Sequence, residues 1–205
     1  MTGLFVTFEG IDRSGKTTQA RMLCDALADE ALAVREPGGT EVGEKLRDLL
    51  KDPSLAIGAE TEALLFAAAR AELVSQVIRP ALDQGKVVVS DRFLDSSLAY
   101  QGIARGLGVD DVAQINRFAT AGLLPDLTIL LSIDPARAAD RAGQLDRFED
   151  EGDSLQNAVF DAYRELAAAD PGRWVTVDAD RPSGEVHAEV LAAVQRAREA
   201  AGARA

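Results

Sequence analysis

The sequence predicts an α/β fold in which a five-stranded parallel sheet is flanked by helices. Short apolar runs rich in strand-forming residues alternate with segments whose apolar residues recur at helical spacing, as is typical of parallel sheets with helical crossovers. Two of the runs end in charged and polar clusters, and ligands of such sheets collect at the carboxyl ends of the strands. A chain of 205 residues suits one domain with a sizeable core, so we expect a single domain over residues 1–205.

The first predicted strand, residues 4–8, leads into a loop that fits the P-loop pattern G-x-x-x-x-G-K-[ST]. Its backbone N–H groups can wrap the phosphates of a nucleoside triphosphate at a helix N-terminus. The Lys16 ammonium can reach the outer phosphates, and the Thr17 hydroxyl can complete the coordination of magnesium. The alternative is a chance glycine turn before a core helix. The pattern favours a P-loop NTPase, with nucleotide bound by Gly10, Ile11, Asp12, Arg13, Ser14, Gly15, Lys16, Thr17 and Thr18.

Arg13 makes this loop more particular than a general triphosphate binder. A guanidinium inside the loop can stay on a phosphoryl group as it moves to an acceptor, which is the role of an arginine finger supplied in cis. The alternative is an exposed arginine that only solvates the loop. The residue type therefore favours phosphoryl transfer with Arg13 as a catalytic residue, beside Lys16.

The elements after this loop continue the alternation in order. A helix starts at Gly15, and a β-compatible piece at 31–36 breaks at a Pro-Gly-Gly turn, after which Thr40 can cap the next helix. The spacing predicts a long helix over 60–82, with Pro80 tightening or kinking its last turn. Further strands are predicted at 87–89, 127–133 and 174–177, and further helices at about 94–105, 110–122, 135–142, 154–169 and 183–199.

A second cluster for chemistry follows the predicted strand 87–89. Asp91 can hold magnesium or its waters beside the phosphate loop, and Arg92 can grip a second phosphate. The alternative is a surface ion pair at a strand end, but the apolar run before it is typical of a central strand. We therefore assign Asp91 and Arg92 to catalysis, and Thr17 and Asp91 to the metal.

Composition narrows the class of partner. The net charge of −12 and the pI near 4.6 argue against a general binder of nucleic acid or of membrane surfaces. The single cysteine, Cys24, cannot form an internal disulfide, and no apolar run approaches the length of a membrane span. No secretory pattern precedes the first strand. These features favour a soluble cytoplasmic protein.

Six segments together are far more specific than the phosphate loop alone. They occur in the order FEGIDRSGKTTQ, REPGGTEVGEKLRDLL, LLFAAARAEL, DRFLDSSLAYQG, PDLTILLSID and DRFE, and they extend over nearly the whole chain. In this order and at these separations, they closely resemble the bacterial thymidylate kinases. The resemblance implies transfer of the γ-phosphate of ATP to dTMP with magnesium, in a cytoplasmic homodimer with no nucleic-acid or membrane partner.

The resemblance also implies how the acceptor is held. Arg35 and Arg92 would bind the phosphate of dTMP, and Asp12 would bond its 3′-hydroxyl. Phe66 would stack on thymine while Arg70 bonds a thymine carbonyl, and residues four apart on a helix do share one face. The sugar and base would be lined by Ser97, Tyr100 and Gln101, of which Ser97 and Gln101 are also four apart.

A short lid over the donor nucleotide is implied at about 141–153. Arg141 is the candidate for contact with adenine, and Arg147 in the DRFE segment would brace the closed state. As an alternative, either arginine could belong to a solvated helix face. The combination of an arginine in the phosphate loop with a short, acid-rich lid departs from members that carry REPGGT and catalytic arginines in the lid. This departure shifts the expected catalytic role to Arg13.

Three rival functions remain from the residues alone. The first is a kinase for another nucleoside monophosphate or a deoxynucleoside. The second is a GTP-binding switch, which would need an Asn-Lys-x-Asp motif that neither Asn116 nor Asn157 provides. The third is an ATP-driven partitioning or regulatory protein. Only a kinase forms a diphosphate product that depends on its acceptor.

Overall fold

The computed structural model describes residues 3–141 and 153–203, and the strands within them form one parallel sheet. The strands are β1 (Leu4–Glu9), β2 (Ala31–Arg35), β3 (Val87–Asp91), β4 (Leu127–Ser132) and β5 (Trp174–Asp178). Their order is β2-β3-β1-β4-β5, and all neighbours pair in parallel. The five-stranded parallel sheet predicted from the sequence is therefore confirmed. Since β1 lies between β3 and β4, the loop after β1 leaves the sheet at its centre, where ligands of such folds bind.

Helical segments pack on both faces of this sheet. They are α1 (Lys16–Leu27), α2 (Glu41–Lys51), α3 (Ala59–Leu73), α4 (Arg79–Asp83), α5 (Leu94–Ser97), α6 (Val109–Ala119), α7 (Pro135–Ala139), α8 (Asp153–Ala169) and α9 (Ser183–Gly202), with a 3₁₀ turn at Ala28–Glu30 and π-helical segments at Val74–Ile78 and Leu98–Ala104. As predicted, the Thr40 hydroxyl caps α2, accepting from the Gly43 N–H at 2.9 Å.

The pleat of the central strands divides the core between the two faces. Val87 and Val89 belong to one buried cluster, whereas Val88 between them belongs to the other, together with Phe5 of β1. Successive side chains of a strand point to opposite faces, so a continuous apolar run can fill both cores at once. This explains why the run 87–89 is apolar throughout and why β3 is a central strand.

Two predicted helices differ from the structure in their turns. The stretch predicted at 60–82 comprises α3, the π-helical segment Val74–Ile78 and α4, and the wider turns directly precede Pro80, which has no N–H to donate in an α-helix. The stretch predicted to be helical at about 94–105 is helical over Leu94–Ala104, but only its first four residues, Leu94–Ser97, are α-helical. Beyond Ser97 the chain is π-helical, and the Arg105 N–H donates to the Tyr100 carbonyl five residues earlier at 2.9 Å.

Two predicted helix ends also move. The helix predicted over 110–122 ends at Ala119, because Ala121 and Gly122 adopt left-handed conformations with φ of 48° and 76°. The helix predicted over 135–142 ends at Ala139. Across the two described ranges, none of the helices has both the length and the apolar character needed to cross a bilayer.

Candidate active site

The phosphate loop joins β1 to α1 with the geometry that its glycines permit. Gly10 has a φ of 143°, and a Cβ atom there would lie 2.7 Å from the Leu131 carbonyl oxygen of the neighbouring strand. Gly15, with a φ of 98°, immediately precedes α1. Both positions require glycine, for the close approach and for the left-handed backbone. The loop therefore presents the N-terminus of α1, with its positive dipole end, toward solvent-accessible space.

Lys16 lies folded against this loop. Its ammonium donates to the Gly10 carbonyl at 3.1 Å, the Ile11 carbonyl at 2.6 Å and the Ser14 hydroxyl at 3.3 Å. Burial of the side chain and the nearby positive charge of Arg92 lower the pKa of Lys16 to about 8, although Asp12 and Asp91 oppose the shift. The ammonium is thus held rigidly at the centre of the loop, where added negative charge would favour its charged form.

Two cavities meet at the phosphate loop. The first, called here the helix-side cavity, has a volume of about 440 Å³ and is lined among others by Gly15, Thr18, Gln19, Arg141, Arg181 and Ser183. The second, the strand-end cavity, has a volume of about 320 Å³ and is lined among others by Arg35, Phe66, Asp91, Arg92, Tyr100 and Gln101. Arg13, Lys16 and Thr17 line both. These three residues therefore stand where a group held in one cavity would meet a group held in the other.

Arg92 lies at the centre of a network of polar contacts in the strand-end cavity. Its guanidinium forms an ion pair with Asp12 and donates to the Ser96 hydroxyl at 3.2 Å and the Tyr163 hydroxyl at 3.2 Å. It also lies over the Tyr100 ring, 5.2 Å from the ring centroid. The Arg92 backbone is left-handed, with a φ of 72°, a strained conformation for a residue with a side chain. The surrounding bonds hold this arginine in one position, as a binding site for an anion requires.

Glu9, at the end of β1, is fully buried behind the polar groups that contact Arg92. Its carboxylate accepts from the Phe93 N–H at 2.8 Å, the Ser96 hydroxyl at 2.6 Å and the Tyr163 hydroxyl at 2.7 Å. Burial, reinforced by the negative charge of Asp95, raises the pKa of Glu9 to about 7. Ser96 and Tyr163 each accept from Arg92 and donate to Glu9. The two hydroxyls therefore bridge the carboxylate and the guanidinium, and the buried carboxylate helps to fix the position of Arg92.

The raised pKa of Glu9 makes stability depend on pH. A carboxyl group whose pKa rises from 4.5 to about 7 on folding contributes stability that is present below about 4.5 and lost as the pH rises through 7. The unfolding free energy of the parent should therefore fall between pH 5 and pH 8. We expect this fall to be smaller in Glu9→Gln by about 3 kcal/mol. Denaturant unfolding at several pH values measures this slope, with the exposed Glu60→Gln as control. Parallel curves for parent and Glu9→Gln would contradict the assignment.

The two predicted metal-binding residues are brought together. The Thr17 hydroxyl donates to Asp91 Oδ2 at 2.5 Å, across the gap between the phosphate loop and the end of β3. Asp12, in the same loop, also accepts from Gln156 Nε2 at 2.8 Å. Burial raises the pKa of Asp12, but the positive charges of Arg92 and Lys16 outweigh it and leave the pKa below its usual value. Both carboxylates therefore lie at the mouth of the loop.

Most of the predicted acceptor residues line the strand-end cavity. Phe66, Ser97, Tyr100 and Gln101 reach it from α3 and from the helical segments after β3. Burial strongly raises the pKa of Tyr100, so its hydroxyl stays protonated; it donates to Asp12 at 3.4 Å. Arg35 also lines this cavity, where its largely exposed guanidinium pairs with Glu44 at 3.3 Å.

Arg70 lies behind the cavity wall. It is fully buried and forms an ion pair with Glu36, with Nε at 3.0 and 2.8 Å from the two carboxylate oxygens and Nη2 at 2.5 Å. Its remaining N–H groups reach Ser97, Asn116 and the Phe93 carbonyl. Glu36 and Ser97 line the cavity, whereas Arg70 itself does not. For the predicted contact with a base, an N–H group of Arg70 that already has a hydrogen-bond partner must therefore turn toward the cavity.

Arg13 and Arg141 hold each other at the edge of the helix-side cavity. The Arg13 guanidinium donates to the Ala139 carbonyl at 3.2 Å and the Arg141 carbonyl at 3.4 Å. Arg141 in turn donates to the Arg13 carbonyl at 3.2 Å and the Ala179 carbonyl at 2.5 Å. The backbone of Arg13 is left-handed, with a φ of 61°. Beyond Arg141, the predicted lid at about 141–153 with Arg147 lies outside the described residues, except for the start of α8.

Sequence reasoning missed several residues around the strand-end cavity. Arg47 and Lys51 line it from α2, and Arg47 donates to the Pro37 carbonyl at 2.7 Å. Their spacing of four on a helix that starts beside REPGGT was a signal that could have found them. Glu9 and Tyr163 gave no such signal, because they are 154 residues apart and meet only through the fold.

Comparison with known proteins places these observations in context. The family model described as thymidylate kinase matches residues 8–190. The thymidylate kinase of Desulforudis audaxviator is 48% identical over 202 residues, covering 95% of this chain and 91% of that protein. That of Halorhodospira halophila is 49% identical over 201 residues, covering 94% of each. The crystal structure of the Ehrlichia chaffeensis thymidylate kinase superposes with a TM-score of 0.80 at 32% identity, covering 95% of this chain and 100% of that one.

Proposed function

The chain belongs to the thymidylate kinase family and phosphorylates dTMP with ATP as donor, and we propose that transfer takes place where the phosphate loop separates its two cavities. The observation that carries this proposal is that Arg13, Lys16 and Thr17 line both cavities. ATP in the helix-side cavity would place its γ-phosphate at the loop, and dTMP in the strand-end cavity would bring its phosphate to Arg92. The moving phosphoryl group then passes between charges that are already in place.

The protein contributes position and charge. Phosphoryl transfer spreads negative charge over the equatorial oxygens, and catalysis consists mainly of aligning donor and acceptor and neutralising that charge. Lys16 would hold the outer phosphates and Arg13 the moving group. Arg92 would bind the acceptor phosphate, assisted by Arg35 at the same cavity. The bonds that fix Arg92 to Ser96 and Tyr163 mean that little reorganisation is needed at the moment of transfer.

We propose that Thr17 and Asp91 hold magnesium. Their oxygen atoms lie 2.5 Å apart at the loop, and hydroxyl and carboxylate oxygens are ligands that magnesium accepts. Such sites use one or two protein oxygens and complete the octahedron with phosphate and water, so no larger cluster of ligands is needed. The ion would supply neutralisation of phosphate charge.

The base and sugar of dTMP would occupy the inner end of the strand-end cavity. Phe66 offers a ring for stacking, and Ser97 and Gln101 offer polar groups from a neighbouring helical segment. Arg70 would read a thymine carbonyl by turning the Nη1 group that now donates to Ser97 at 3.1 Å. Asp12 would accept from the 3′-hydroxyl with the carboxylate that Gln156 and Arg92 orient. Adenine would lie against Arg141 in the helix-side cavity.

Tyr100 should contribute to the choice of sugar. Its ring is buried beside Arg92 and lines the strand-end cavity, where it can fill the space that a 2′-hydroxyl would need. We expect Tyr100→Ala to reduce the preference in kcat/KM for dTMP over its ribose counterpart by about tenfold, because steric exclusion of a hydroxyl is worth about 1–3 kcal/mol. Tyr100→Phe, which keeps the ring, is the matched control and should retain the preference. An alanine variant that melts earlier with an unchanged ratio would make Tyr100 a packing residue only.

The reaction itself is tested with purified protein, ATP and a panel of nucleoside monophosphates. We expect diphosphate formation with dTMP above all others and little ATP hydrolysis without an acceptor. Another preferred acceptor would identify a kinase of different specificity. Hydrolysis independent of every acceptor would identify a switch or an ATP-driven partitioning protein.

We propose that the active protein is a homodimer of single-domain chains in the cytoplasm, where a lone thiol such as Cys24 stays reduced. Large apolar side chains are exposed along the adjacent helices α2, α3 and α6; they are Val42, Leu49, Leu64 and Phe118, with Leu124 just beyond α6. A second copy would cover this face, since exposed apolar patches mark association sites.

A substitution at Phe118 tests the proposed dimer interface. It is 91% exposed, and burying such a ring contributes about 2–3 kcal/mol. We expect Phe118→Glu to convert a dimer into a monomer in sedimentation analysis, whereas Arg196→Glu on the exposed side of α9 should leave the dimer intact. A dimer that persists with glutamate at position 118 would place the interface elsewhere.

A further inference from the structure

A buried glutamate lies directly behind the strand-end cavity, on the first turn of α3. Glu62 is 1% exposed, although a carboxylate is costly to remove from water unless donors surround it. It accepts from Gln101 Nε2 at 2.9 Å and from Arg105 through Nε at 3.1 Å and Nη2 at 3.1 Å. A carboxylate that is buried against a cavity-lining amide is in a position to fix that amide.

The bond between Glu62 and Gln101 determines which end of the amide faces the cavity. A side-chain amide has an acceptor oxygen and a donor nitrogen, whereas an ionised carboxylate only accepts. The Gln101 nitrogen must therefore face Glu62. Gln101 is itself 2% exposed and lines the strand-end cavity, and among residues 3–141 and 153–203 no donor reaches its Oε1 atom. The amide thus offers the cavity a fixed acceptor.

We propose that Glu62 is a positioning residue for base selectivity, holding the amide of Gln101 so that its oxygen accepts the N3–H of thymine. This inference rests on the proposed function, because it takes dTMP as the occupant of the strand-end cavity. Thymine has a donor at N3, whereas cytosine has an acceptor there. Two acceptors facing each other in a buried site leave both unpaired, so a fixed oxygen rejects cytosine. Arg105 donates to both carboxylate oxygens of Glu62, so it holds the carboxylate in place beside Gln101.

Replacement of Glu62 by glutamine frees the amide to turn. A glutamine at position 62 can donate as well as accept, so Gln101 could present either end to the cavity and accommodate cytosine through its nitrogen. We expect Glu62→Gln to lower the ratio of kcat/KM for dTMP to that for dCMP by tenfold or more, with a smaller change in kcat for dTMP. Glu60→Gln, an exposed carboxylate two residues earlier on α3, is the matched control and should keep the parent ratio.

A double variant separates orientation from stability. Combining Glu62→Gln with Gln101→Glu exchanges the two groups, so that position 101 offers only acceptors, and the preference for dTMP should return toward that of the parent. An unchanged ratio in Glu62→Gln would overturn the proposal, as would loss of the preference in the double variant, which also decides the matter if the single variant does not fold. If the parent itself forms no dTDP, the proposed function fails; if the parent is active and the ratio does not respond, only the role of Glu62 fails.

Discussion

Arg92→Gln is expected to reduce kcat/KM for dTMP by about 10²–10³-fold, the loss that follows removal of one fixed charge at a transition state. Arg92 lines the strand-end cavity and forms an ion pair with Asp12. The substitution therefore removes the positive charge that would bind the acceptor phosphate, and it also removes the partner of the Asp12 carboxylate. Glutamine can donate to an oxygen but carries no charge. The KM for dTMP should therefore rise and kcat should fall together.

The same substitution should also destabilise the fold. Without Arg92, the carboxylate of Asp12 and the buried Glu9 lose the positive charge between them, and breaking a largely buried pair costs about 3 kcal/mol. Activity is therefore measured below the melting temperature of the variant, with Arg117→Gln on the exposed face of α6 as control. A folded Arg92→Gln enzyme within tenfold of the parent in kcat/KM would show that another group, such as Arg35 or Arg47, binds the acceptor phosphate.

The sequence could predict those parts of the site that follow from local geometry. Lys16 and Thr17 belong to a motif whose spacing determines where they lie, and Asp91 ends a strand whose apolar run marks it as central. Parallel pairing of β1 with β3 then brings Thr17 to 2.5 Å from Asp91. Ser97 and Gln101, four residues apart, both reach the strand-end cavity even though the segment after Ser97 is π-helical.

The buried ion pairs could not be predicted in this way. Arg70 pairs with Glu36 across 34 residues, and the sequence shows neither that its donors are all engaged nor that it lies behind the wall. Glu62 is similar, since nothing in α3 distinguishes it from the exposed Glu60 until α3 packs beside the π-helical segment that carries Gln101. Which carboxylate becomes buried depends on packing between elements that are distant in the chain.

Arg13→Ala is expected to lower kcat by about 10³-fold while changing the KM for ATP much less, because an arginine finger in cis acts mainly on the transition state. Arg13 lines both cavities, and its backbone is left-handed, with a φ of 61°. Its guanidinium is bonded to the Ala139 and Arg141 carbonyls at the end of α7. To act on the phosphoryl group it must exchange these neutral acceptors for an anion, and charge-assisted bonds are the stronger ones.

Two variants distinguish the charge of Arg13 from its structural bonds. Arg13→Lys keeps a positive charge but lacks the planar fork, so it should recover only part of kcat. Arg21→Ala, an exposed arginine on α1, should behave as the parent. If steady-state kinetics give Arg13→Ala a kcat within about threefold of the parent, less than 1 kcal/mol in barrier, then Arg13 serves to brace the end of α7 and the charge on the moving phosphoryl group is neutralised elsewhere. A fall in kcat with an unchanged melting temperature would instead assign that charge to Arg13, since loss of the brace alone would lower stability without a selective effect on turnover.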